Sequence, residues 1–213
     1  TPSLFYRFLD KTKGHVGVDS YTFCEALGPE EGNKVMRAHW DAWYTDALIK
    51  DLKDREIEVI RLPIGDWTLN QYGPYVGCMD GAAEKITWFL DTCAKYDIKV
   101  LMDVHAMKDS QNGYDNSGKA SDVIWSSETE FSHWPNQAAR WFGDWNHTTN
   151  QYDDINYAAQ EWGLQVHEGL LKKWGKNPAF YAFEPLNEPQ FNPITEVLKK
   201  WYKKSRELVR EHT

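Results

Sequence analysis

Ala179-Phe180-Tyr181-Ala182-Phe183-Glu184-Pro185-Leu186-Asn187-Glu188-Pro189 joins an aromatic-rich run of strand length to a proline stop and a cluster of polar groups just past it. Such a run reads as a buried β-strand that delivers Asn187 and Glu188 at its C-terminal end. Two earlier runs have the same form. Glu58-Val59-Ile60-Arg61-Leu62 is closed by Pro63 and Gly65, and Ile98-Lys99-Val100-Leu101-Met102-Asp103-Val104 leads into His105. Amphipathic helices lie before, between and after these runs. Ser20–Leu27 and Pro29–Trp40 form an early pair, and Thr45–Arg55 leads into the first strand. Asp80 caps a helix to about Tyr96. Ile155, Ala159, Trp162, Val166, Leu170 and Trp174 mark a longer helix, ended near Gly175, and Ile194 to Val209 a last one. Alternating strands and helices imply an α/β fold with a parallel sheet, either open and doubly wound or closed as a (β/α)8 barrel. No Gly-x-Gly-x-x-Gly or Walker sequence follows a strand, which removes the usual nucleotide reason for the open sheet. A long loop over 106–154 and polar strand ends suit a TIM barrel, whose chemistry sits at the C-terminal face.

The chain has 213 residues, and its 41% hydrophobic and 26% charged content is that of an ordinary globular protein. A formal net charge of −8 argues against a nucleic-acid partner, and no apolar run is long enough for a membrane helix. Cys24, Cys78 and Cys93 are too few for a disulfide framework or a zinc site; one bridge is open to them, and Cys93 falls on a helix core face. Thr1-Pro2-Ser3-Leu4-Phe5 carries no signal peptide, and Asn146-His147-Thr148 is a glycosylation sequon. The unusual count is 11 Trp, which raises the prospect of flat surfaces for a ligand. Trp162, Trp174 and Trp201 fall on apolar helix faces, and Trp40 and Trp43 also read as structural. Trp67, Trp125, Trp134, Trp141 and Trp145 lie in loops and are the stacking candidates.

The strand ends carry the chemistry. Arg61 in a buried strand requires a partner, with Asp103 and Glu184 as candidates, and that pairing is compatible with a site role. His105 reads either as a satisfied core histidine or as a site residue. Asp103-x-His105 suggests metal ligands, but His133 and His147 lack ligand spacing, so no metal is expected. A glycosidic oxygen leaves poorly until protonated, and a carboxyl such as Glu188, held in an enclosed strand-end loop, can supply the proton. Asn187 beside it can donate to a sugar hydroxyl next to the bond being cut.

These residues resemble glycoside hydrolase family 5, and within it the exo-β-1,3-glucanases of fungi and related eukaryotes. The resemblance rests on Ser3-Leu4-Phe5, Cys24-Glu25-Ala26-Leu27-Gly28, His39-Trp40-Asp41 with Trp43, Ile60 to Gly65, Pro74-Tyr75-Val76 and Asp103-Val104-His105. Its most specific element is Ser110-Gln111-Asn112-Gly113-Tyr114-Asp115-Asn116-Ser117-Gly118, and Asn187-Glu188-Pro189 completes it. The resemblance implies that Glu188 is the acid/base, that Asn187 binds sugar in the cleaving subsite, and that Arg61 and His105 orient the catalytic carboxylates. It also implies Tyr114 as an aromatic at the pocket entrance and Asp115 and Asn116 as lining of the terminal-sugar pocket. Two departures are Ala106-Met107-Lys108-Asp109, where the family usually has Gly-Ala-Pro-Gly, and Tyr114 in place of a common Phe.

Retention needs a second carboxyl, which the family places on its seventh strand; Glu196, Glu207 and Glu211 fall on a surface helix instead. The resemblance therefore implies a partial barrel, about strands two to four with their helices. Residues 1–213 are expected to form one partial catalytic domain with no second domain, inactive by itself. The expected activity is retaining, exo-acting hydrolysis of β-1,3-glucan from the non-reducing end. The alternatives are another linkage (endo-β-1,4 or β-1,6) or a non-catalytic glucan-binding protein. Also expected are a polysaccharide partner, no cofactor, a monomer when complete, and an extracellular or cell-wall location.

Overall fold

The computed structural model describes residues 4–5, 17, 19–119, 139–146, 148–189 and 193–213, together with the backbone of 123–125 and 131–133. Three parallel strands, β1 (Val59–Gly65), β2 (Lys99–Ala106) and β7 (Phe180–Glu184), form its main sheet in the order β1-β2-β7. All three occur where the sequence predicts them. β1 runs on through Pro63, a residue tolerated at a sheet edge, and β1 is an edge strand among the described residues.

The helices are α1 (Ser20–Trp43), α2 (Asp46–Asp54), α3 (Ala82–Lys95), α4 (Tyr157–Trp174) and α5 (Thr195–His212). The expected early pair is α1, whose two parts meet at Gly28 (φ 71, ψ −177) ahead of Pro29. Its start is a capping box in which Asp19 accepts from the Thr22 backbone. Thr45 and Asn156 cap α2 and α4 in the same way. Asp80 does not cap α3: the residue before that helix is Gly81, in a left-handed conformation, and the Asp80 carboxylate accepts from Gln71 at 3.0 Å. Ile155 ends a strand rather than opening α4.

The segment after β2, expected as irregular loop, contains two antiparallel hairpins, β3 (Val123–Trp125) with β4 (Phe131–His133) and β5 (Gly143–Asn146) with β6 (Gln151–Ile155). β5 and β6 are short and rich in Asp and Asn, so they show no apolar alternation. Phe142 beside β5 anchors that hairpin on Tyr152, ring centroids 4.8 Å apart.

Val100, Met102 and Val104 of β2 are fully buried and join Phe89, Leu90, Leu164 and Leu170 of the flanking helices in the main core. Trp174 and Trp201 are buried as expected, their indole N–H groups donating to Thr87 and to the Gln160 carbonyl. Trp141, a stacking candidate from sequence, is also core: it is completely buried and packs edge-on against Trp201 at 4.8 Å. Its loop position hid this, because the loop folds back over α5. Trp145 packs against Tyr152, and Trp43 is exposed beside His39 rather than packed. Trp134, His147 and the side chain of Trp125 lie outside the described residues.

Cys24 and Cys78 form a disulfide, and Cys93 is free and buried. The bridge closes a separation of 54 residues, for which chain-entropy arithmetic gives about 4 kcal/mol. A Cys24→Ala, Cys78→Ala protein is expected to melt several degrees below its parent, a difference that thermal unfolding with and without reductant will read.

Candidate functional site

With the even residues of β2 turned toward the helices, Asp103 and His105 lie on the opposite face of the sheet. The parallel register sets Pro63, Asp103 and Glu184 side by side across the three strands. Arg61 shares the face of Pro63, and its guanidinium gathers the neighbouring acceptors. Nε donates to Glu184 Oε2 at 2.8 Å, and Nη2 reaches Glu184 Oε1 at 3.0 Å, Asn187 Oδ1 at 2.9 Å and Asp103 Oδ2 at 3.0 Å. The hydrogen bond to Glu184 leads the effects that raise the Arg61 pKa. Both partners considered from sequence are therefore used. The expectation that Arg61 sits inside a buried strand is corrected: its side chain is 42% exposed.

Asp103 is completely buried and accepts from His105 Nδ1 at 2.5 Å. A carboxylate only accepts, so this bond assigns a proton to Nδ1. No group of His, Cys, Asp and Glu among the described residues has the arrangement of a metal site.

β7 gives way to the turn that carries Glu188. His167 of α4 lies beneath it, completely buried between Phe183 and Trp201, with Nε2 2.8 Å from the Pro185 carbonyl. Burial pushes the imidazole down to about 3, so it stays neutral and Nε2–H donates to that carbonyl. The Asn187 N–H donates to the Val104 carbonyl at 3.1 Å, which ties the turn to β2. Glu188 then takes a left-handed backbone, φ 44, uncommon for a residue with a side chain.

The run 110–118 arrives from the other side. Asn116, in the short helical turn Asp115–Ser117, donates from Nδ2 to Glu188 Oε2 at 2.9 Å. Asn112 donates to Asn116 Oδ1 at 3.2 Å, which fixes the amide with its nitrogen toward Glu188. Asp115 accepts from the Asn116 backbone at 3.0 Å, and Tyr114 is exposed beside it. Asp115, Asn116, His105, Phe5 and Trp67 line one cavity of about 490 Å³. The floor is aromatic: Trp67 stacks on Tyr75 at 4.0 Å, and a Cβ at Gly118 (φ 85) would strike the Trp67 ring at 2.6 Å.

The structure thus gathers Arg61, Asn187, Glu188 and Asn116 into one site: Arg61 bonds Asn187, Asn116 bonds Glu188, and His105 is joined to Arg61 through Asp103. Tyr114 and Asp115 sit at its rim. Two buried polar atoms of this site, Asn187 Nδ2 and Asp103 Oδ1, have no partner among the described residues.

Sequence reasoning missed two residues here. Asp66 is buried just after β1 and accepts from the Tyr72 hydroxyl at 2.8 Å, the Lys108 N–H at 2.7 Å and Trp162 Nε1 at 2.9 Å. Burial raises its pKa to about 6 against these donors. The Lys108 bond uses a backbone N–H, which a Pro at this position, as the resemblance would have it, lacks. Gln111 is the other: its Nε2 donates to the carbonyls of His105 (2.8 Å) and Asn187 (3.0 Å), and its Oε1 accepts from the Met107 N–H at 3.1 Å. Its place in the Ser110–Gly118 motif was the available signal.

Residues 24–213 match the family described as Cellulase (glycosyl hydrolase family 5). The Glucan 1,3-beta-glucosidase of Pichia angusta is 31% identical over an alignment covering 100% of this chain and 42% of that protein. Glucan 1,3-beta-glucosidase 2 of Candida albicans is 32% identical over 95% of this chain and 38% of its own length. The chain thus spans about two fifths of the length of these curated relatives. Among solved structures, the rutinosidase from Aspergillus niger matches with TM-score 0.63 at 19% identity, over 99% of this chain and 54% of that one. Endo-glycoceramidase II from Rhodococcus sp. matches with TM-score 0.53 at 15% identity, over 80% of this chain and 42% of that one. These likenesses concern the fold, and the parallel strands with their helices are part of a (β/α)8 barrel, as the sequence predicts. On the family match, which runs over nearly the whole chain, the chain belongs to glycosyl hydrolase family 5.

Proposed function

We propose that the protein containing this chain hydrolyses β-glucan, cutting β-1,3 linkages one glucose at a time from the non-reducing end with retention of configuration. The observation that carries this reading is the Glu188 carboxylate, set just past the end of a barrel strand and held by Asn116 at 2.9 Å beside a sugar-sized cavity. Glu188 protonates the glycosidic oxygen as the bond breaks and then takes a proton from the attacking water. Asn187, whose Nδ2 has no partner among the described residues, donates to the hydroxyl next to that bond while Arg61 holds its Oδ1. Asp115 and Asn116 bound the terminal-sugar pocket, with Tyr114 offering aromatic surface at its entrance. His105, oriented by Asp103, faces the second catalytic carboxyl, which the rest of the protein supplies. The match of this chain to about two fifths of the curated glucosidases supports that division. The reaction needs no cofactor. The Cys24–Cys78 bridge supports an extracellular or cell-wall location, since disulfides persist in oxidising compartments.

The test is a time course of the full-length protein on laminarin, followed by NMR of the anomeric protons, with β-1,4- and β-1,6-glucans in parallel. Expected is β-glucose as the first and main product, and fastest release from laminarin. First-formed α-glucose would overturn retention, early oligosaccharides would overturn exo action, and preference for another glucan would overturn the linkage. Binding without any hydrolysis would make this a glucan-binding protein.

A further inference from the structure

Three side-chain bonds of Gln111 converge on backbone that the catalytic reading depends on. The residue is 1% exposed, both its amide hydrogens are used on the His105 and Asn187 carbonyls, and its oxygen takes the Met107 N–H. Reversing the amide would set oxygen against two carbonyls and nitrogen against a donor, so its orientation is fixed by its partners. The Asn187 carbonyl belongs to the peptide plane that also contains the Glu188 nitrogen. Rotation of that plane against the Glu188 Cα is the φ angle of Glu188, which stands at an unfavourable 44. The peptide before it is held independently, by the Asn187 N–H on Val104. Gln111 therefore grips the one plane that sets the direction in which the Glu188 side chain leaves the backbone. Asn116, five positions along the same run, grips the far end of that side chain.

We propose that Gln111 is a positioning residue that fixes the Asn187–Glu188 peptide plane against the end of β2, and so aims the Glu188 carboxyl at the leaving-group oxygen. This rests on the acid/base reading of Glu188. Gln111 reaches no sugar itself: its polar atoms are all spent on backbone, and its effect passes through Glu188. A misaimed acid costs most where the leaving group needs its proton. A dinitrophenolate departs without protonation, whereas a phenolate does not.

The experiment compares kcat/KM, which covers the steps through departure of the leaving group, for phenyl and dinitrophenyl β-glucosides. It uses the full-length protein as wild type, Gln111→Met and Glu188→Gln, each assayed well below its melting temperature. Gln111→Met keeps the length of the side chain and removes its hydrogen bonds. Expected is a loss of about 10²-fold on the phenyl glucoside and of less than about fivefold on the dinitrophenyl glucoside, the size that a misplacement of about 1 Å causes. Glu188→Gln should show the same slope, steeper. Equal losses of Gln111→Met on both substrates, or none on either, would overturn the positioning role, because a merely structural defect lowers both alike. If Glu188→Gln itself lost no more on phenyl than on dinitrophenyl glucoside, the acid/base reading would fail instead. Should Gln111→Met not fold, Gln111→Asn, an amide one methylene short, takes its place with the same expectation. Failure of both to fold would assign Gln111 to stability alone and overturn the proposal.

Discussion

Replacing Glu188 with Gln in the full-length protein will lower kcat on β-1,3-glucan by about 10²- to 10⁴-fold, the range that a positioned general acid supplies. The substitution keeps the size of the side chain and still lets it take the Asn116 amide hydrogen on its oxygen. It removes the proton that the glycosidic oxygen needs. KM will change little or fall, because the sugar contacts assigned to Asn116 and Asn187 remain and breakdown of any glycosyl-enzyme slows. Added azide, a nucleophile that needs no general base, will restore part of the rate with activated aryl glucosides by capturing that intermediate. Wild-type turnover of laminarin by Glu188→Gln, measured as released glucose, would remove Glu188 from the chemistry.

Arg61→Lys will cost about 10²-fold in kcat and lower the melting temperature, although it keeps the charge. The guanidinium serves Glu184 through two nitrogens and also reaches Asp103 and Asn187. An ammonium is a single point with three hydrogens and cannot hold a carboxylate in a fork while reaching two further acceptors. The group most exposed to the loss is Asp103, a carboxylate with no solvent access whose other partner is His105. Breaking a buried ion pair costs roughly 3–5 kcal/mol, and the exposure of Arg61 together with the retained Lys charge keeps this case below that range. Asn187 also loses the contact that holds its Oδ1. Parallel kinetics and thermal unfolding of the Arg61→Lys and Arg61→Met proteins check both effects. Activity within twofold of wild type in either variant would show that the guanidinium network does not prepare the site.

Much of this was legible in the chain because strands that are buried leave strong local signals. β1 and β7 announced themselves through runs closed by proline or glycine, β2 through its apolar run alone, and their polar ends marked where chemistry collects. Arg61 with Asp103 and Glu184 could be anticipated because a charge within a strand demands a partner. The hairpins β3 to β6 were not legible: three to five mixed residues carry no period, and contacts such as Phe142 on Tyr152 leave no pattern in the sequence. Trp141 failed for a related reason, since its burial is decided by α5, some sixty positions later. Gln111 and Asp66 illustrate a different limit. A buried polar side chain is tolerable only through its bonds, and those bonds run to the Asn187 carbonyl in one case and to Trp162 in the other. Nothing in the neighbouring sequence of either residue encodes such partners.

The Cys24–Cys78 bridge also determines what a protease could accomplish. Between the two cysteines lie most of α1, all of α2 and all of β1 with Arg61, the last two joined by a turn at 55–58 in which every residue is exposed. A cut at that turn leaves both pieces covalently attached, with β1 still hydrogen-bonded along β2. The nicked protein would migrate as one species until a reductant is added, and only then divide in two. The piece held only through the bridge would be the one that carries α1 and α2, while Arg61 stays in the same piece as β2 and β7.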